Sequence, residues 1–426
     1  MRRKKETSTP KKPRDLTQKK QPKQPEQLYQ VRRVHIGKTP QLDALAHACG
    51  ELYTKTLVFF WRTVRRKGIW LGPKHLQKLF TSDQLHAHTS DACVEAFFSG
   101  LNSWRERRKD DPNTHPPRRR KWYYRIEYKS NAVHLKDGML SLSNGRKNAP
   151  LLIPWSWEQP KTVVIHWTGT QYEAIATYIL KPAIQPIGTR VAGIDLGEIH
   201  MAASHDGEHT HLVVGRLLRA KKQYRNKLIA KMDAMISGKK KGSRQQKKLI
   251  RSKQKQLKRL KNQIKDIEHK QTTRLISTLY QEGVQTVAIG DVRDIRQQLY
   301  VGSKNNQKLH QWSFGSVRHK LTYKAQRLGM LVMLQEESYT SKTCPTCGKK
   351  RKSAPTGRKF HCTNKRCRWR GHRDFVGAFN IRAKYRQEFA RPAVVGVMAA
   401  PMGMRYYPHA RVACGEKRYP QETAGL

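Results

Sequence analysis

The chain has 426 residues, with 86 Lys+Arg against 31 Asp+Glu and a formal net charge of +55. That excess demands a polyanionic partner, nucleic acid first and a membrane surface second, while nine Trp and several strand-like runs argue for folded domains rather than a basic tail. No apolar run reaches the roughly 18 residues of a membrane span, the N-terminus lacks the apolar core of a signal peptide, and seven cysteines, four of them in two close pairs, point to metal binding in a reducing compartment rather than disulfides.

Residues 1–27 are Lys, Arg, Gln, Pro and Thr with almost nothing apolar, the composition of a disordered basic arm. Leu28 to Ile36 alternates like a strand. Pro40 then opens a helical pattern carried by Leu42, Leu45, Ala46, Cys49, Leu52, Tyr53 and Leu57, and a second helix is predicted from about Ser90 to Arg108. Cys49 and Cys93 fall on apolar faces and read as core residues. From Trp122 the period becomes two, through WYYRIEYK, AVHLKDGMLSLS, LLIPWSW and TVVIHWTGTQYEAIATYIL, joined by short polar turns. This is a small β-barrel or sheet. The strand at 28–36 is expected to join it, which makes the helical stretch 39–121 an insertion in a split barrel. The basic aromatic run Arg118 to Arg125 suits base stacking with phosphate contact; packing of Trp122 or Tyr124 in the core is the equal alternative.

After a linker, Val191 to Gly197 (VAGIDLG) reads as a short buried strand carrying Asp195. A buried carboxylate is costly unless paired or metal-bound. Two more strands follow around Asp206-Gly207. An acid in the first strand of such a meander is how an RNase H-type nuclease fold begins; an ordinary strand-end Asp is the plain alternative. Residues 215–270 read as a helical hairpin around the turn SGKKKGS, with Leu217, Leu218, Tyr224, Leu228, Met232 and Met235 facing Ile250, Leu257, Leu260, Ile264 and Ile267. Its dense Lys/Arg faces suit phosphates or plain solvent. A separate amphipathic helix is expected at Thr272–Glu282, then a buried strand TVAI running into Gly290-Asp291, a helix at Gln311–Arg327, and a strand Leu331–Glu337 ending in two acids.

Cys344-x-x-Cys347 and Cys362-x4-Cys367 are separated by fourteen residues. Paired thiols with a loop between them match a tetrahedral structural Zn2+ site. His361 is a weaker competitor for Cys362. A closed four-thiolate site has no open position for chemistry, so its expected role is to brace a nucleic-acid channel. Directly after it, Asp374 lies in the first turn of a helix with Phe375, Ala378, Phe379 and Ile381 facing inward, where the helix dipole favours a carboxylate. The tail from Arg391 has no clear period and reads as mostly disordered, with Cys414 unassigned.

Taken together, GIDLG at 193–197, EESYTSKTCPTCG at 336–348, the FHC-x4-C pair and GHRDFVGAFNI at 371–381 resemble the TnpB family, the insertion-sequence-encoded RNA-guided nucleases related to type V CRISPR effectors and Fanzor proteins. The similarity spans about residues 188–385; the N-terminal half matches in layout more than in motif. The resemblance implies a multidomain α+β chain. Its parts are a wedge β-barrel at 28–38 and 122–185, a helical recognition domain at 39–121, a RuvC/RNase H-like nuclease at 186–338 and 373–390, a zinc ribbon at 339–372 and a tail at 391–426.

The family's nuclease uses three carboxylates that hold Mg2+. Asp195 matches the first and Asp374 the third. The second departs from the commoner pattern, because Gly290 stands where many relatives carry Glu. A rearranged subgroup has glycine there and a glutamate before the YTSKTC stretch, a position that Glu337 fits. Glu336 would point to the opposite face of a strand, and Asp291 and Asp294 are lesser candidates. The resemblance further implies a guide RNA and double-stranded target DNA as partners, one chain per RNA, no membrane, and a prokaryotic cytoplasmic, nucleoid-associated location. Base pairing then reads sequence while the protein reads a short flanking motif. A small type V CRISPR effector, a nuclease-silent guided repressor and an RNase H-like transposase are the rivals. Co-purifying RNA separates the guided readings from the transposase, and a plasmid cleavage assay separates nuclease from repressor.

Overall fold

A computed structural model describes residues 27–120, 122–145, 147–180, 185–292, 302, 306, 311–353, 355, 357–387 and 402–406. The basic arm, most of the tail with Cys414, and Asp294 lie outside them. The described residues fall into two compact units, within 27–182 and 183–419.

The first unit begins with β1 (Leu28–Ile36), followed by α1 (Pro40–Lys67), α2 (Pro73–Leu79) and α3 (Ala87–Asp110). The strands β2 (Ile126–Tyr128), β3 (Val133–Lys136), β4 (Met139–Leu142), β5 (Leu151–Pro154), β6 (Thr162–Trp167) and β7 (Tyr172–Leu180) complete it. Strand β1 pairs antiparallel with β7 along its whole length, from Leu28↔Leu180 to Ile36↔Tyr172. The first and last strands are therefore neighbours in a sheet ordered β1-β7-β6-β2, and β3-β4-β5 form a second sheet. Helix α1 starts where Thr39 Oγ1 accepts from Leu42 N (3.2 Å) ahead of Pro40, and it stops at Gly68 in the left-handed region (φ 67°). Helix α3 begins three residues before Ser90. Its cap is the ring nitrogen of His86, an uncommon capping side chain, and Ser90, which looks like a cap in sequence, is buried inside the helix. The short α2 buries a single residue, Leu76, too little for a readable period. Cys49 and Cys93 are buried core residues. Within the Arg118–Arg125 run, Tyr124 packs on Tyr53, whereas Trp122 is 67% exposed.

The second unit holds β8 (Arg190–Asp195), β9 (His200–His205), β10 (Thr210–Val214), α4 (Arg216–Ser237), α5 (Arg244–Gln281), β11 (Val284–Gly290), α6 (Phe314–Arg327), β12 (Leu331–Gln335), β13 (Lys359–His361), β14 (Arg370–His372), α7 (Arg373–Arg386) and β15 (Met402–Met404). Six strands form one mixed sheet, ordered β12-β11-β8-β9-β10-β15. β8, β11 and β12 run parallel, and β9 is antiparallel to its neighbours. The apolar core packs Leu275, Ile276 and Leu279 of α5 and Val317, Leu321 and Ala325 of α6 against the sheet. Helix α7 presses on β8 so closely that a Cβ on Gly193 would overlap the Ala378 carbonyl oxygen and lie 2.6 Å from Arg382 N.

Three expectations need correction. The second hairpin helix does not end near 270. It runs unbroken to Gln281 because Glu268, Gln271 and Thr272, which look like a break, are buried and bonded: Ser316 Oγ and Lys320 Nζ donate to Glu268 (both 2.9 Å), and Gln271 Nε2 donates to Val214 O (2.9 Å). The hairpin seam is narrower than its periodicity predicts. Leu228, Met232 and Leu260 meet, with Leu249 and Leu257 beside them, while Leu217, Tyr224, Met235 and Ile250 face outward. Ile264 and Ile267 belong to the sheet's core instead. The tail also contributes structure: β15 adds a parallel edge strand to β10, and Tyr406 Oη donates to Asp266 (2.5 Å). Among the described residues no helix is long and apolar enough to cross a membrane.

Candidate active site and four-cysteine cluster

Asp195 ends β8, the strand flanked by β9 and β11 at the middle of the sheet. Parallel β11 and β12 end on the same side, so the segments that follow all three strands reach one edge. Strand β12 stops at Gln335, two residues short of the expected end, and Glu336 and Glu337 follow in irregular backbone ahead of the turn that begins at Ser338. The Asp291 amide donates to Gln335 O (2.8 Å), tying the two strand ends together.

Glu337 leans over β11. A Cβ built on Gly290 would overlap Glu337 Oε1 and lie 2.7 Å from its Cδ. The carboxylate therefore fills the space into which a side chain at 290 would project. On the other flank, a Cβ on Gly377 of α7 would overlap Asp195 Oδ2 and lie 2.9 Å from its Cγ. Glycines at 290 and 377 are what allow two carboxylates to stand against backbone here.

The electrostatics are those of crowded acids. Burial, followed by the nearby Asp374 charge, pushes the Asp195 carboxyl up to about 7. Burial, then Asp195 and Asp291, push Glu337 well above the usual carboxylate range. Glu337 Oε1 is buried with no hydrogen-bond partner. An unpartnered buried carboxylate oxygen beside a second strained acid fits a site completed by a cation.

Asp374 stands in the first turn of α7, where His372 Nδ1 accepts from its amide (3.2 Å) as the cap. Its Oδ2 is 2.6 Å from His200 Nδ1 and accepts from Arg358 Nη1 at 2.9 Å. Burial opposes its ionisation, but these partners outweigh burial and hold its carboxyl below the usual value. Asp374, His200 and His372 bring their donor atoms within 4.8 Å of one another. Asp195, Glu337 and Asp374 do not fall into one such group; Asp195 links them, since the Asp374 charge raises Asp195 and the Asp195 charge raises Glu337. Two lesser candidates have cationic neighbours, although the charge of Asp291 also reaches Glu337. Asp291 faces Arg318 (3.5 Å), and Glu336 is half-exposed and faces Lys384 (3.5 Å). Sequence reasoning missed His200, Arg358 and Gly377. Nothing local marks the first two, whereas the glycine inside the apolar helix GHRDFVGAFNI is a visible sign of close approach.

The four cysteines converge beside this edge. All four sulfurs lie within 4.8 Å of one another, with Cys344 Sγ 3.9 Å from Cys367 Sγ and Cys347 Sγ 3.5 Å from Cys362 Sγ. Disulfides require about 2.05 Å. A tetrahedral ion with sulfur arms of about 2.3 Å separates its ligands by about 3.8 Å, so the spacing fits a metal. Two turns set it: Gly348 N donates to Cys344 O (3.1 Å), and Cys367 N donates to Asn364 O (3.1 Å). Hairpin β13–β14 carries Phe360 and Trp369 into a small core with Cys344, Phe375 and Phe379, which fastens the cluster to the start of α7. His361 lies outside the cluster.

Known proteins match in the same places. The family model "Probable transposase" matches residues 175–296, and the model "Cas12f1-like, TNB domain" matches residues 314–381. A TnpB-like protein of Methanocaldococcus jannaschii is 34% identical over 125 residues, 29% of this chain and 43% of that protein. A TnpB-like protein of Acidianus two-tailed virus is 25% identical over 347 residues, 73% of this chain and 74% of its own length. The CRISPR-associated endodeoxyribonuclease Cas12f1 of Sulfoacidibacillus thermotolerans is 24% identical over 197 residues, 45% of each chain. In fold, the chain is similar to a Cas12f1 solved with single-guide RNA and target DNA, with a TM-score of 0.52 at 12% identity, covering 80% of this chain and 81% of that one. The mixed α/β architecture, the clustered cysteines and these matches agree: this chain is similar to TnpB-like proteins and to Cas12f1.

Proposed function

We propose that the chain is the RNA-guided DNA endonuclease of a transposable element, which binds a guide RNA and cuts double-stranded DNA beside a short flanking motif. The observation that carries this reading is the Glu337 carboxylate standing in the side-chain space of Gly290, next to Asp195. It restores an acid at the end of β11 without a side chain at 290. In this reading the six-stranded sheet is a RuvC/RNase H-like nuclease, the first unit is the wedge barrel with its helical insertion, and residues 339–372 are a zinc ribbon.

Asp195, Glu337 and Asp374 would be the residues that hold Mg2+. Bound there, Mg2+ would supply an activated water and stabilise developing charge on the phosphodiester oxygens. Burial and mutual repulsion keep Asp195 and Glu337 in need of a cation. His200 and Arg358 orient Asp374. Zn2+ held by Cys344, Cys347, Cys362 and Cys367 would be structural, since four thiolates leave no open position. The net charge of +55 suits a protein that holds a structured RNA and an opened duplex. The similar Cas12f1, solved with guide RNA and target DNA, supports the same partners.

Expression with the native flanking locus, sequencing of RNA that co-purifies, and cleavage of a plasmid matched to that RNA test the reading. A defined RNA and guide-matched, Mg2+-dependent cleavage are expected. A defined RNA with guided binding but no cleavage would replace the nuclease by a repressor, and absence of RNA would leave a transposase.

A further inference from the structure

At the opposite end of the sheet from Asp195, a second set of mixed donors converges. Asp206 follows β9, His209 precedes β10, and Glu282 lies between α5 and β11. The Asp206 side chain is wholly buried. Its Oδ1 accepts from the amides of Glu208 (2.9 Å) and His209 (2.7 Å), which aims Oδ2 at the ring of His209. His209 Nδ1 is 3.4 Å from Asp206 Oδ2 and 4.0 Å from Glu282 Oε1. Glu282 is held in turn by His211 Nε2, at 2.7 and 3.0 Å from its two oxygens.

The spacing also admits a metal ion, because the His209 Nδ1 to Asp206 Oδ2 hydrogen bond is a long one at 3.4 Å. Nitrogen–oxygen hydrogen bonds span about 2.7–3.2 Å, and the two His209 distances are longer. Ligands on a tetrahedral ion with arms of about 2.1 Å stand about 3.4 Å apart. The three donor atoms lie within 4.8 Å of one another, as the sulfurs of the cysteine cluster do. Charge agrees. Arg190 Nη2 is 2.9 Å from Glu208 Oε2, and its Nη1 only reaches 3.5 Å from Asp206 Oδ2. Arg190 is shared between Glu208 and Asp206, His211 holds Glu282, and the Arg382 guanidinium lies against Gly207, so the two carboxylates are partly neutralised and bring two anionic donors to His209. An imidazole with two carboxylates favours a first-row divalent ion over Mg2+. The His211 contact is the outer hydrogen bond that orients a ligating carboxylate. His209 is 41% exposed, which leaves a fourth position to water.

We propose that Asp206, His209 and Glu282 form a Zn2+-class site distinct from both the acid edge and the cysteine cluster, stapling the β9–β10 turn to the α5–β11 junction. It does not depend on the nuclease reading. The full-length chain, equilibrated with micromolar Zn2+ and millimolar Mg2+ and then freed of loose metal, is expected to hold two zinc ions. His209→Ala and Glu282→Gln are each expected to hold one, and added Zn2+ should raise the melting temperature of the parent but not of these variants. Co2+ substitution identifies which site is filled, because thiolate-bound cobalt absorbs strongly in the near ultraviolet and an Asp–His–Glu site gives only weak visible bands. His209 lies on an exposed turn, so His209→Ala tests the site without cutting into the core. Cobalt bound to thiolate alone in the parent, or a second zinc that persists in His209→Ala, overturns the proposal.

Discussion

The acid edge and the cysteine cluster lie in the same unit, and they are assembled in opposite ways. The cysteines come from two tight turns, and the sulfurs face one another around a space the size of one ion. The acids come from β8, from the segment after β12 and from α7, with glycines of β11 and α7 making room. The cluster is closed and locally encoded. The edge is open and exists only when three distant segments meet. A closed donor set holds a metal for structure, whereas an open set of crowded carboxylates retains unsatisfied charge for chemistry.

The comparison predicts where damage appears. Asp195→Ala, Glu337→Ala and Asp374→Ala should each lower Mg2+-dependent cleavage by more than about 100-fold, because in the proposed function each removes a metal ligand, while guided DNA binding, measured by filter retention, should stay nearly intact because in that reading it rests on base pairing and phosphate contacts. Normal cleavage by Glu337→Ala together with a dead Asp291→Ala would move the second acid to Asp291. Gly290→Glu should also lose about 100-fold, since the new side chain must displace Glu337. Adding Glu337→Gly to it should recover much of that loss, a non-additivity expected of two residues sharing one space. Equal activities of the single and double variants would remove the steric argument.

His200→Ala should cost about 10–100-fold in cleavage through loss of Asp374 orientation, with a raised Mg2+ requirement as the readout that a purely structural role would not move. Cys347→Ser breaks the other side of the comparison. Metal analysis should show loss of the tetrahedral ion, and limited proteolysis should open residues 339–372 before the sheet, with a loss of cleavage secondary to that unfolding. The smallest effect is expected for Glu336→Ala, within about twofold, because its half-exposed ion pair with Lys384 contributes little. A large loss there would mean that the turn after β12 is read in the wrong register.

Local chemistry was legible without a structure. The thiol spacing predicted the sulfur cluster, the period-two runs predicted β3 to β7, and the strand character of residues 28–36 pointed to the partner that β1 finds in β7. Pro40 marked a helix start through a rule that involves only a few neighbouring residues. Helix α5 was misread as two pieces because polar Glu268, Gln271 and Thr272 resemble a break until their buried partners are known. The hairpin seam was overestimated for a related reason. Periodicity marks which residues share a face, and only packing decides how much of that face is covered.

The sequence by itself marked the four thiols through their spacing, and its resemblance to a family nominated Asp195, Glu337 and Asp374 as the acids. Tertiary structure alone decided their relations. It placed the Glu337 carboxylate in the space above Gly290, tied Asp374 to His200 and Arg358, and brought Glu282 to the turn that holds Asp206 and His209. The physical reason is range. Metal-binding turns and caps are fixed by bonds between near neighbours in the chain, while the charge and space around a carboxylate are set by whatever the packed sheet brings within a few ångströms of it.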